Sequence, residues 1–127
     1  MSLRRFDYAP EPNILAFPKL KAAIGVQVSG DGVTANENGR KIIPAGTPVG
    51  GADLATANEK AVLAPVSDDT VQGVLENAVD VTDGNGNGTL IIWGYVNKFR
   101  LPEGVTISED VEKALDGKVT FLSRNEL

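Results

Sequence analysis

The sequence predicts an α+β fold dominated by β-strands: a compact body of short strands with one short helix near the C-terminus, preceded by an irregular N-terminal arm. Three observations carry this. Clusters of Gly, Pro, Asn and Asp recur at short intervals, and the runs between them are short and rich in β-branched residues. One stretch near the end has apolar residues at helical spacing. The first 18 residues hold Pro10, Pro12 and Pro18, which lack the N–H groups that helices and sheet ladders use. At 127 residues the chain suits one domain and can bury a core without staples.

The arm spans residues 1–21 and a single β-rich domain residues 22–127. Phe6, Tyr8 and Phe17 stand in the arm, where a disordered tail would be poor in aromatics, so it either packs over the body or is kept for binding. A segment broken by three prolines builds no core of its own, so removing residues 2–18 is expected to leave folding nearly intact. From Lys21 the chain turns β-like through Val28, and Ser29-Gly30-Asp31-Gly32 closes that strand with turn residues. Asn36 to Gly39 is a second turn. Lys41-Ile42-Ile43 is a short strand stopped by Pro44, and Ala45 to Gly51 is a bend punctuated by Gly and Pro. Lys60 to Val66 reads as a strand whose Pro65 places it at an edge. Val71 to Val81 reads as a strand with an irregularity at Glu76-Asn77. Thr82 to Gly88 is the strongest turn signal, and Thr89 to Asn97 the strongest strand, so a hairpin is expected between them.

The helix starts at a capping box, Thr106-Ile107-Ser108-Glu109, with Thr106 as the predicted N-cap. Ile107, Val111, Ala114 and Leu115 form a narrow apolar stripe, enough to lie on a sheet and shield one face. Gly117 suits the C-terminal cap, and Lys118 to Leu122 is a final strand.

Composition removes several function classes. Without Cys there are no disulfides, thiolate metal sites or cysteine nucleophiles; without His the commonest general base and transition-metal ligand are missing. The apolar runs fall far short of the ~20 residues of a membrane-spanning helix, and no signal peptide is expected. Lys+Arg 12 against Asp+Glu 17 gives a net charge of −5. Residues 1–21 contribute 4 − 2 = +2 and residues 22–127 contribute 8 − 15 = −7. So acidic a body argues against nucleic-acid binding.

The remaining constellations are weak as sites. Asp83-x-Asn85-x-Asn87-Gly88 matches the first half of a calcium loop, but Gly94 stands where the bidentate Glu is needed, so no metal is expected. Asp68-Asp69 and Asp80 with Asp83 read as turn and surface acids rather than an acid–base pair. Gly84, Gly86 and Gly88 are followed by no Lys-Ser/Thr and no helix, so they make no phosphate cradle. Trp93 and Tyr95 share a strand face, with Phe99 beyond them, and read as core, subunit contact or stacking surface. No catalytic residue and no cofactor are assigned. The partner-binding candidates are Arg4, Arg5, Phe6 and Tyr8 of the arm, where two aromatics could bury area on a partner while two Arg pair with its carboxylates.

Taken in order, Ile43-Pro44-Ala45-Gly46-Thr47-Pro48-Val49-Gly50, Gly73-Val74-Leu75, Val79-Asp80-Val81-Thr82, Thr89-Leu90-Ile91-Ile92, Gly94-Tyr95-Val96-Asn97, Leu101-Pro102 and Val119-Thr120-Phe121-Leu122 resemble the head decoration proteins of tailed phages. The group is the one typified by phage lambda's, and the likeness is strongest to versions from prophages of Gram-positive bacteria. The resemblance covers roughly residues 40–122. It implies a non-enzymatic virion protein, made in the bacterial cytoplasm and carried on the capsid surface. Such a protein is a β-rich homotrimer that binds the phage's major capsid protein, stabilises the mature shell and orders its N-terminal arm there. Neither nucleic acid nor membrane is an implied partner. The alternative from a different class is a small β-module that binds a sugar or peptide, as a virion adhesin would.

Overall fold

The computed structural model describes residues 14–17, 19–30, 32–102 and 104–123. Its strands are β1 (Lys21–Val28), β2 (Ile42–Ile43), β3 (Pro48–Gly50), β4 (Val62–Pro65), β5 (Val71–Leu75), β6 (Val79–Asp80), β7 (Gly86–Asn97) and β8 (Val119–Leu122), with a short helix α1 (Glu109–Ala114) before the last. The β-dominated body with a single short C-terminal α-helix is as the sequence predicts. The candidates Arg4, Arg5, Phe6 and Tyr8 lie outside the described residues.

Strand β7 organises the sheet. Along one side it pairs antiparallel with all of β1, from Lys21↔Gly94 to Val28↔Gly86. Along the other it pairs antiparallel with β5 through Val74↔Ile91 and Leu75↔Leu90, then parallel with β8 from Gly94↔Val119 to Asn97↔Leu122. The order β1-β4-β3-β5-β7 returns to β1, so five strands close a ring and β8 extends it. A separate ribbon, β2 with β6, lies outside the ring's ladder.

Successive residues of β5 and β7 face two different cores, because side chains alternate across a strand. Leu75 and Leu90 join Val28, Val49 and Leu63, together with Ile43, Val79 and Val81 from the ribbon and the residues beside it. Val74 and Ile91 join Val96, Val119, and Val111 and Leu115 of α1. A sheet covered on both faces explains why these strands read as continuous apolar runs.

The N-terminal boundary differs from the expectation. Ile14 and Leu15 are 1% and 0% exposed and belong to the helix-side core. Leu15 bridges Val96, and Ala16 N donates to Tyr95 O at 2.9 Å. The body therefore includes residues from Ile14 onward, and the prolines of the arm do not prevent its last residues from packing. Removing residues 2–18 would remove part of the core.

Three local expectations also shift. Strand β4 is not at an edge: it runs between β1 and β3. Pro65 is tolerated because β1 reaches only as far as Val28↔Leu63, so the missing N–H points past the end of β1. The hairpin across Thr82 to Gly88 is split. Its near half, β5, pairs with β7, while β6 turns away to β2. Gly86 and Gly88, read as turn residues, lie within β7. A Cβ on them would stand 2.5 and 2.9 Å from Val79 methyls, so they let the ribbon pack down on the strand. Finally, the N-cap is Ser108, not Thr106; its Oγ accepts from Val111 N at 3.3 Å and donates to Ser67 O at 2.9 Å. The apolar stripe holds, with Val111 and Leu115 buried, and Gly117 takes φ +81°.

Candidate interaction surface

The most prominent exposed apolar feature grows from an irregularity in β7. Ala22 pairs with Trp93 and Ala23 with Ile91, so Ile92 is an extra residue on that strand. A bulge of this kind shifts the alternation by one. Ile91 and Val96, of opposite parity, therefore face the same core, while Trp93 and Tyr95 turn outward. Gly94 sits at the bulge with φ +155°, and a Cβ there would stand 3.3 Å from Leu20 O.

Three rings form a ladder on this outer face. Phe17 and Tyr95 meet edge to face with centroids 5.5 Å apart, and Tyr95 meets Trp93 likewise at 5.9 Å. Phe17 is 38% and Trp93 42% exposed, and Leu20 stands beside them at 51%. Trp93 is thus not a core residue, as one reading of the sequence had it. Phe99 is also exposed, in the short 3-10 turn Lys98–Arg100, where Asn97 caps it by accepting from Phe99 N at 3.1 Å.

Several cations lie near the ladder residues along the chain in an otherwise acidic body. Lys19 and Lys21 flank Leu20, Lys98 and Arg100 follow β7, and Lys118 lies next to Gly94 through its carbonyl. Lys21 pairs with Glu76 at 2.6 Å and Lys98 with Glu112 at 2.8 Å. Arg100 Nη1 donates to Leu15 O at 3.2 Å, which ties the 3-10 turn to the incoming chain. Sequence reasoning placed Phe17 in the arm and missed its contact with Tyr95. The signal was the Leu15–Phe17 apolar run, which continues the line of β1.

The carboxylates weighed as a site serve as turn braces. Asp80 Oδ1 accepts from Thr82 N at 2.9 Å and from Thr82 Oγ1 at 2.5 Å, and its other oxygen pairs with Arg40. The Thr82 hydroxyl and amide, with the Arg40 guanidinium, lower the Asp80 pKa to about 2. Asp68 likewise accepts from Thr70 N and Oγ1, and its pKa is lowered by those bonds. Among the described residues no three acidic side chains converge where a metal ion would sit.

An open cleft of about 390 Å³ lies elsewhere, lined by residues including Ile43, Pro44, Pro48, Pro65, Val66 and Thr106. Its lining holds no ionisable side chain, and neither Trp93 nor Tyr95 reaches it. No protein-family profile matches the chain, and no curated protein matches it in sequence.

Proposed function

We propose that this chain is a non-enzymatic structural module that docks on a protein shell in the manner of the phage head decoration proteins. In this reading it binds the major capsid protein on the outside of the shell as a homotrimer and stabilises the mature lattice. The observation that supports it is the Phe17–Tyr95–Trp93 ladder, an exposed aromatic cluster whose Tyr95 and Trp93 stand on β7. Exposed aromatic anchors are the composition of interface hot spots, and such a face suits a protein partner. A ligand that binds only the mature shell stabilises it by RT ln(1 + [L]/Kd) per site, so even moderate affinity multiplies over a lattice.

The test mixes the protein with expanded, undecorated capsids and follows co-sedimentation. Trp93, the single tryptophan, reports docking through its own fluorescence. Binding with a blue shift is expected, and Trp93→Ala should weaken it ten-fold or more, which corresponds to about 1.4 kcal/mol. A protein that stays in the supernatant at tens of micromolar overturns the reading. The adhesin alternative draws on the same exposed rings. Saturable quenching by an oligosaccharide, without capsid binding, would favour it.

A further inference from the structure

The sequence holds three Asn-Gly pairs: Asn38-Gly39, Asn85-Gly86 and Asn87-Gly88. An Asn followed by Gly can modify itself. The Gly backbone nitrogen attacks the side-chain amide carbon of the Asn, a C–N bond forms, and the amide nitrogen leaves as ammonia, carrying the proton of that N–H. Water then opens the cyclic imide at either carbonyl, giving Asp or a β-linked isoaspartate. Gly favours the reaction because it has no side chain to crowd the attacking nitrogen or to restrict the backbone. The same lability makes Asn a residue that heat-stable proteins use sparingly. The reaction needs a Gly N–H that can leave its hydrogen bond and a backbone with room to close the ring.

The three pairs are held differently. Thr89 O accepts from Glu76 N at 2.9 Å, so Thr89 turns its main chain toward β5, and Ser29 N donates to Leu63 O at 2.7 Å, so Ser29 turns its own toward β4. By alternation Gly88 and Gly86 face β1, where their partners Val26 and Val28 face them. Both N–H groups therefore belong to the β1–β7 seam that closes the ring. A Cβ on Gly86 or Gly88 would stand 2.5 or 2.9 Å from a Val79 methyl, so neither backbone has room for an imide. Asn38-Gly39 lies instead in the turn before β2, where residues 36–40 are all exposed. Gly39 N donates to Asn36 O at 2.9 Å, and Asn36 Oδ1 accepts from Asn38 N at 2.9 Å and Arg40 N at 3.0 Å. These bonds are local to the turn, and a Cβ on Gly39, at φ +76°, would meet nothing within 4 Å. Opening an exposed turn costs little, whereas opening a core strand approaches the cost of global unfolding.

We propose that Asn38 is a self-modification site, the one of the three that converts to aspartate and isoaspartate while the protein stays folded, with Asn36 as its brake. Conversion places a new carboxylate two residues from Arg40, whose guanidinium pairs with Asp80 of the ribbon. In the isoaspartate the main chain runs through the side-chain methylene, which lengthens the turn that Asn36 Oδ1 braces. The product thus differs from the fresh protein in charge and in the lead-in to the Ile42↔Asp80 and Ile43↔Val79 pairs. This chemistry belongs to the body alone and does not depend on capsid docking.

Incubating the full-length protein at mildly alkaline pH, then digesting it briefly with trypsin and weighing the peptides, tests the site. Peptide 22–40 carries Asn38, and peptide 61–98 carries Asn85 and Asn87. In the folded protein the amide-to-acid mass change should accumulate in 22–40 at least ten-fold faster than in 61–98, the ratio that about 1.4 kcal/mol of extra opening cost produces. In urea, where the seam is open, the difference should vanish. Asn38→Gln should stop the change in 22–40, which still contains Asn36, and Asn36→Ala should quicken it by releasing the two braced amides. Equal rates in the folded protein overturn the proposal, as does a faster 61–98. So does a change in 22–40 that survives Asn38→Gln, or a folded protein that converts at none of the three sites while the urea-unfolded chain converts.

Discussion

The two cores of this molecule are assembled from different parts of the chain. The ring-side core draws on Val26, Val28, Leu63, Leu75, Leu90 and the ribbon residues Ile43 and Val79, all between β1 and β7. The helix-side core takes its central Val74, Ile91 and Val96 from the same strands, but closes them with both ends of the described chain: Ile14 and Leu15 at the start, Val111, Leu115 and Val119 at the finish. The ring can hold its core by ladder closure, whereas the helix-side core exists only if both ends come back. The exposed aromatic ladder is mounted on the second, since Phe17 and Tyr95 are neighbours of Leu15 and Val96.

Truncation is the strongest way to break this comparison. Deleting residues 2–18 removes Ile14 and Leu15, and each such loss costs about 2–5 kcal/mol. The sum approaches the ~5–15 kcal/mol that holds a domain folded, so denaturant melts should show a collapsed or missing transition. Deleting residues 2–12 instead leaves both core residues and should retain a cooperative melt.

Paired substitutions sharpen it. Leu90→Ala and Leu115→Ala each empty a fully buried site and should each cost about 2–5 kcal/mol. Hydrogen exchange should separate them: Leu115→Ala speeds the amides of α1 and β8 while those of β1 and β4 stay protected, and Leu90→Ala loosens the ring as a whole. Uniform loss of protection in both would mean that the two cores are one unit.

A smaller effect tests how the ribbon sits on β7. Gly88→Ala puts a Cβ 2.9 Å from Val79 and 3.1 Å from Leu75, and overpacking of this kind costs about 1–3 kcal/mol. Gly25→Ala, in open space on the neighbouring strand, should change melting little.

The smallest effect is the acid response of the ribbon. Asp80 has a folded pKa lowered to about 2, below its unfolded value near ~3.9. Its contribution is therefore present above pH ~4 and is lost as pH falls through about 2. Asp80→Asn should flatten the stability profile in that window. The side chain is solvent-exposed enough that the change will be small, and an unchanged profile would detach the Arg40–Asp80 pair from ribbon stability.

Much of this architecture is legible in the sequence. β1, β7, β8 and the helical stripe are written in local patterns, because alternation, β-branching and i, i+4 spacing are properties of adjacent residues. What was not legible depends on partners far along the chain. Pro65 looks like an edge residue until one knows that β1 stops at Val28. The Ser108 cap was preferred over Thr106 because Ser67, in a different loop, offers its hydroxyl a carbonyl. The bulge at Ile92 is set by the register of two strands, so the outward turn of Trp93 and Tyr95 was not visible in a run that reads as regular strand. Ile14 and Leu15 were hidden by the prolines around them, which mask a two-residue anchor.

The closure of β1 on β7 also sets a clock. Partners along that seam are separated by 58 residues at Val28↔Gly86 and by 73 at Lys21↔Gly94. At roughly 5–20 residues per second of synthesis, β1 waits about 3–15 s before the strand that completes it exists. During that interval the edge of β1 that faces β7 has no native partner, and the core around Val26 and Val28 lacks Leu90. Pairings this distant also make for slow folding once the chain is complete. The seam that gives the mature body its stability is thus the one that leaves the nascent chain exposed longest.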